Sequence, residues 1–140
     1  LVGKVAQDLG MDRTFYKVAM RPGKPLMAGK MNGQIMVGLP GNPVSAMVCG
    51  EVFLIPLIQK MLGLPAVPRV RKNGPIGHSL PQNGTREHYM RAKLINGSIF
   101  IEDPQDSSLL TVLANADALA VRPKDDGPLK EGSNIEYIPL

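Results

Sequence analysis

Apolar and polar positions alternate in short blocks, and the blocks divide the chain in two. Up to about residue 62 the pattern predicts the end of a helix through Leu9, a strand over Phe15–Met20, a strand over Leu26–Lys30, and a buried strand over Gln34–Leu39. Asn32-Gly33 between the last two strands is a hairpin turn signal. A long apolar-rich helix pattern follows from Pro43 to Leu62, weakened by Gly50 and by Pro56, whose ring removes a backbone hydrogen bond and is expected to kink it. Gly63, Pro65 and Pro68 stop this helix. Beyond them the pattern is mostly β: Arg69–Lys72, His88–Ile95, an Asn96-Gly97 turn, Ser98–Glu102, a helical turn over Ser108–Ala114, then Leu119–Arg122 and Ile135–Ile138. Short strands at close spacing suggest a small barrel or sandwich. Two units are therefore expected, residues 1–65 as the back half of an α/β domain and residues 66–140 as a small all-β, barrel-like domain.

Composition adds limits. With 140 residues and 44% hydrophobic content the chain can bury a core. The single cysteine, Cys49, excludes an internal disulfide, and its apolar helical surroundings suggest packing. A lone cysteine also favours the cytoplasm. His78 and His88 lack metal-ligand spacing, so no metal site is expected. The longest apolar run, Val52–Ile58, is short for a bilayer, and Glu51, Gln59 and Lys60 flank it, so no membrane segment is expected. Because the chain opens inside a helical pattern, it is expected to be part of a longer polypeptide.

Charge is unevenly placed. The formal excess of +4 lies entirely in residues 1–65, since the remainder has 9 basic and 9 acidic residues. That asymmetry suits an anionic ligand, although Lys4, Arg13, Lys30 and Lys60 read as a solvated face. The cations of the basic loop have no interleaved aromatics, so nucleic acid is not an expected partner.

Two segments carry candidate chemistry. In Gly38-Leu39-Pro40-Gly41-Asn42-Pro43-Val44-Ser45, Asn42 is a helix N-cap and Pro43 occupies the first helical position. Such an end exposes unpaired N–H groups and the positive pole of the helix dipole, a natural seat for an oxyanion. A capped turn without a ligand is the alternative. Gly41 would let the main chain approach what it faces, Pro40 and Pro43 would hold the loop, and Ser45 suits capping better than ligand contact. Upstream, Lys17-Val18-Ala19-Met20-Arg21-Pro22-Gly23-Lys24-Pro25 sets three cations around a Pro-Gly turn.

These two motifs, in this order, closely resemble the molybdopterin molybdenumtransferase family, which includes MoeA and the C-terminal domain of gephyrin. Arg86-Glu87-His88-Tyr89-Met90-Arg91, Gln105-Asp106-Ser107-Ser108, Ala116-Asp117-Ala118-Leu119 and Leu129-Lys130-Glu131-Gly132 agree in order and spacing. The resemblance implies the C-terminal half of a molybdopterin-binding, MogA-like α/β domain followed by a C-terminal β domain. It implies a whole protein that inserts molybdate into adenylylated molybdopterin with magnesium-dependent hydrolysis of the adenylate. Lys17, Arg21 and Lys24 would be its catalytic cations here. Pro40, Gly41, Asn42, Pro43, Ser45, Arg91 and Ser108 would bind the cofactor, with a surface salt bridge as the other account of Arg91.

The magnesium ligands, and the family's Gly-Gly-x-Ser-x-Gly loop, would lie upstream, outside this chain. Alone it is therefore expected to be inactive. Homodimerisation and a molybdopterin adenylyltransferase as donor of the substrate are further implications. Arg21 stands where many relatives carry lysine and Asp117 where many carry asparagine. A non-catalytic docking or dimerisation module of the gephyrin type is the alternative.

Overall fold

A computed structural model describes residues 2–65, 67–102 and 114–140. Helix α1 (Val2–Asp8) leads into strand β1 (Asp12–Tyr16), which pairs antiparallel with β3 (Met27–Met31). Strand β4 (Gln34–Gly38) completes a three-stranded antiparallel sheet in the order β1-β3-β4. The β3–β4 hairpin turns on Asn32 and Gly33 at φ +52° and +78°, the two left-handed residues that a type I′ turn requires.

The strand expected over Phe15–Met20 is not one strand. β1 ends at Tyr16, and Lys17 then takes a left-handed φ of +72° that breaks it. The chain re-forms as the two-residue β2 (Met20–Arg21), which leaves for the other sheet and pairs parallel with β6 (Glu87–Ile95).

From Pro43 to Met61 the chain is a single 19-residue helix, by length and composition apolar enough to cross a membrane, whose face of Val44, Ser45, Val48 and Cys49 is buried in the molecule. It comprises α2 (Pro43–Cys49), a π-helical turn (Gly50–Leu54) and α3 (Ile55–Met61). The π turn explains how Pro56 is accommodated. Proline removes one N–H and its ring presses on the carbonyl four residues back, and the wider turn just before it gives that carbonyl room. Arg69 Nε, 3.0 Å from Glu51 Oε2, ties the following segment to this turn.

The second sheet runs β2-β6-β8-β9-β5, with β7 also on β6. Its remaining strands are β5 (Lys72–Pro75), β7 (Ser98–Ile101), β8 (Ala118–Arg122) and β9 (Asn134–Pro139). β5 therefore replaces the strand expected over Arg69–Lys72. The nine-residue β6 carries β2 against its first residues and β7 against its last. The sheet curls until Ile76 bridges Ile99, but that single bridge does not close a barrel. The helical turn expected over Ser108–Ala114 lies, except for Ala114, outside the described residues.

Two apolar clusters fill the interior. One joins Met20, Leu26, Val44, Val48 and Cys49 to Tyr89, Leu119, Val121 and Ile138, so packing crosses the Gly63–Pro68 stretch. The other fills the curl of the sheet with Ile76, Met90, Ala92, Ile99, Ala120 and Ile135. Strand β8 is buried throughout, between β6 and β9.

Candidate functional site

Asn42 begins the long helix as its sequence predicts. Its backbone is extended (φ −74°, ψ 126°), and its Oδ1 accepts from the Ser45 backbone N–H at 3.0 Å and from the Ser45 hydroxyl at 3.2 Å. Ser45 is buried and serves the cap. Pro43 has no N–H to satisfy, and the Val44 N–H has no carbonyl within the helix to meet. Asn42 Nδ2 and the Val44 N–H thus have no partner within the helix, with Val44 itself buried. Pro40 is buried beneath the loop. A Cβ on Gly41 would meet nothing within 4 Å among the described residues.

The basic turn is seated on that same helix. Lys17 N–H donates to Leu26 O at 2.9 Å, and Val18 N–H to Lys24 O at 3.0 Å, closing the loop above the fully buried Leu26. The Arg21–Pro22 peptide is cis. Gly23, buried at φ +112°, packs so closely on α2 that a Cβ would stand 2.5 Å from Cys49 Sγ. The Cys49 thiol donates to Gly23 O at 3.8 Å, and burial pushes its pKa up to about 11, so it is a packing group and not a nucleophile at neutral pH. Lys17 and Lys24 are exposed. Lys17 Nζ lies 5.2 Å from the Tyr16 ring centroid, with the Arg13 guanidinium 5.0 Å from the same ring.

Arg21 lines a cavity of about 220 Å³ with His88, Arg122 and Asn83, and neither Lys17 nor Lys24 lines it. Arg91 is buried in β6 opposite Leu119. Strand alternation puts Arg91 on the face of β6 opposite His88. Ser108 lies outside the described residues. Among the described residues no three carboxylate, histidine or cysteine groups converge as a metal site would need.

Sequence reasoning missed His88 and Arg122 as neighbours of Arg21. Burial, and the charges of Arg21, Arg122, Arg86 and Arg91, hold the His88 pKa down at about 4. The Arg122 guanidinium is buried and donates to the Asp126 carboxylate and to the carbonyls of Pro81, Asp126 and Gly127. The only sequence signal was the Arg-Glu-His-Tyr-Met-Arg run, and strand register was needed to give it meaning.

Residues 2–60 match the family described as a probable molybdopterin binding domain, and residues 73–140 match the MoeA C-terminal region, domain IV. Molybdopterin molybdenumtransferase 2 of Mycobacterium tuberculosis is 36% identical over 124 residues, covering 87% of this chain and 31% of that protein. The molybdopterin molybdenumtransferase of Synechococcus elongatus is 33% identical over 141 residues, covering 93% of this chain and 32% of that protein. The chain thus spans about a third of the length of these relatives. In fold it is similar to the molybdopterin biosynthesis MoeA protein of Pyrococcus horikoshii, with a TM-score of 0.82 at 24% identity over 99% of this chain and 34% of that one. Matched along both halves in the same order, the chain belongs to the MoeA family of molybdopterin molybdenumtransferases.

Proposed function

We propose that this chain serves molybdenum cofactor biosynthesis as part of a molybdopterin molybdenumtransferase. The whole protein, in this reading, inserts molybdate into adenylylated molybdopterin and hydrolyses the adenylate. This chain supplies part of the pocket that holds the anionic substrates. The observation that carries the reading is the seating of the basic turn on the Asn42-capped helix through the Gly23–Cys49 contact. It fixes the turn bearing Lys17 and Lys24 against the last residue of α2, about two turns along the same helix from Asn42.

Molybdate and the molybdopterin phosphate are both tetrahedral oxyanions. Each charge-assisted hydrogen bond from Lys17, Lys24, the Val44 N–H or Asn42 Nδ2 would contribute about 1.5–3 kcal/mol once shielded from water. Lysine suits a mobile oxyanion because its ammonium is a point charge on a flexible stem. These residues bind and orient, and the reaction needs no nucleophile from this chain. The described residues do not fit a magnesium site, so no step here passes through the metal. Its ligands, together with homodimerisation, delivery of substrate by a molybdopterin adenylyltransferase and a cytoplasmic location, belong to the same proposal for the whole protein.

Molybdenum transfer measured with the full-length protein and with this chain alone is the test. Turnover by the former and none by the latter is expected. Turnover by the isolated chain, or none by the full-length protein supplied with both substrates, contradicts the reading.

A further inference from the structure

Two backbone irregularities gather cations around one aromatic ring. Arg13 and Tyr16 are three positions apart in β1, so a regular strand would set them on opposite faces. A register shift between Arg13 and Phe15 adds one residue to β1: Arg13 pairs with Gly29, and Tyr16 pairs with Met27, two positions away on β3. Cross-strand partners share a face, so this bulge brings Arg13 and Tyr16 to the same side. Lys17 follows Tyr16 directly and in an unbroken strand would point away from it. Its left-handed φ of +72° ends that alternation, and its Nζ comes to 5.2 Å from the Tyr16 ring centroid, with the Arg13 guanidinium 5.0 Å from the same point. A lysine in this backbone region is strained and persists only where its surroundings determine it, here through the bond from its N–H to Leu26 O.

The ring has a fixed seat. Its edge lies over Gly3 of α1, where a Cβ would stand 3.5 Å from it, and the Arg13 guanidinium donates to Gln7 Oε1 of the same helix at 3.0 Å. The Lys17 ammonium has no comparable anchor. It pairs with no carboxylate among the described residues, and it rides on a flexible four-carbon stem. The face of an aromatic ring attracts a cation within about 6 Å of its centroid. Tyr16 is therefore the group that limits where this ammonium goes.

We propose that Tyr16 is a positioning residue for molybdenum transfer: its ring, seated on Gly3 and flanked by Arg13, gathers the Lys17 ammonium into the place from which it meets the anionic substrate. This rests on the reading of Lys17 as a cation that seats that substrate. Tyr16 exchanges no proton and forms no bond to substrate. Its π face does the positioning, and its hydroxyl is dispensable. A contact of this kind at an exposed site biases the ammonium toward the ring about two- to fivefold.

The test is kcat/KM for molybdenum transfer by the full-length protein carrying Tyr16→Phe, Tyr16→Leu, Lys17→Ala, or Tyr16→Leu together with Lys17→Ala. Tyr16→Phe is expected to match the parent, because phenylalanine keeps the ring. Tyr16→Leu is expected to lose about two- to fivefold. Lys17→Ala is expected to lose about tenfold or more, and adding Tyr16→Leu to it should cost nothing further, since the ring then has no ammonium to hold. Both arms of that last comparison share the Lys17→Ala background, so a purely structural role for Tyr16 would show there as a further loss. Such a loss overturns the proposal, because the ring would then pack or touch substrate on its own account. Tyr16→Leu at the parental rate beside an impaired Lys17→Ala overturns it and leaves the reading of Lys17 standing. Tyr16→Phe as impaired as Tyr16→Leu overturns it in favour of the hydroxyl. Lys17→Ala at the parental rate removes the reading of Lys17 itself, and the proposal with it.

Discussion

His88 sits where its charged form is penalised twice, by burial and by four nearby arginines. Its folded pKa of about 4 lies below its ordinary 6.5, so between those values the unfolded chain binds the proton more readily. The stability tied to neutral His88 is therefore present above about pH 6.5 and is lost as pH falls toward 4. Between pH 7 and pH 4.5 the urea midpoint of the wild-type chain should fall relative to that of His88→Gln, which lacks the titrating group; parallel curves would contradict the assignment. Gly23 gives a second test, because a side chain there meets both a left-handed φ and the Cys49 sulfur. Gly23→Ala is expected to cost about 1–3 kcal/mol in urea unfolding. Adding Cys49→Ala should recover part of it, since the clash is relieved while the backbone strain stays. Such residue-level features were unevenly legible. Asn42 and Pro43 announced the cap because capping is local chemistry. Nothing in the residue types announced a left-handed Lys17, since a long β-permissive side chain gives no hint of positive φ.

Elements read well wherever a turn residue or a cap delimits them. The Asn32-Gly33 hairpin and the Asn96-Gly97 turn formed where expected, each with both central residues at positive φ. Where an element's fate depends on a distant partner, local pattern failed. Met20 looked like the tail of a strand in the first sheet and Arg21 like part of the basic turn, and pairing with Glu87 and His88 takes both into the second. The Pro43–Met61 helix shows the same limit: Pro56 was a visible irregularity, but its resolution as a π turn depends on how the neighbouring turns pack. Gly50 at the start of that turn has ordinary helical angles (φ −59°, ψ −50°) and open space where a Cβ would be. Gly50→Ala is expected to stabilise the chain by about 0.4–1 kcal/mol, through lower entropy of the unfolded state. Thermal unfolding checks this, and a lower midpoint would mean that the π turn needs the glycine.

At the scale of the whole molecule, the cluster around Leu119 is what couples the basic turn to the large sheet. Leu26, Val44 and Cys49 from one side of the Gly63–Pro68 stretch pack with Tyr89, Leu119 and Ile138 from the other. Leu119→Ala should cost about 2–5 kcal/mol. If the cluster unites the molecule, amide protection in β3 and β8 should fall together in hydrogen exchange; loss confined to β8 would show two independent units. The overall α/β-then-β order was legible because turn residues and apolar blocks change character near residue 65. The shared core was not, since contacts between residues some seventy positions apart leave no periodic trace. The candidate site divides in the same way. Its two motifs were legible as sequence, while the placing of Arg21 beside His88 needed strand register.

The central claim is that Lys17 and Lys24, on the basic turn packed against α2, seat an anionic substrate of molybdenum transfer. The most direct measurement is the rate of molybdenum incorporation by the full-length protein carrying Lys17→Ala and Lys24→Ala, beside its thermal midpoint. Both side chains are exposed, so the stability read from that midpoint should stay within about 0.5 kcal/mol of the parent's. Incorporation should fall by about a hundredfold or more, the loss of two charge-assisted contacts. Incorporation at the parental rate in a stably folded double variant would contradict the account.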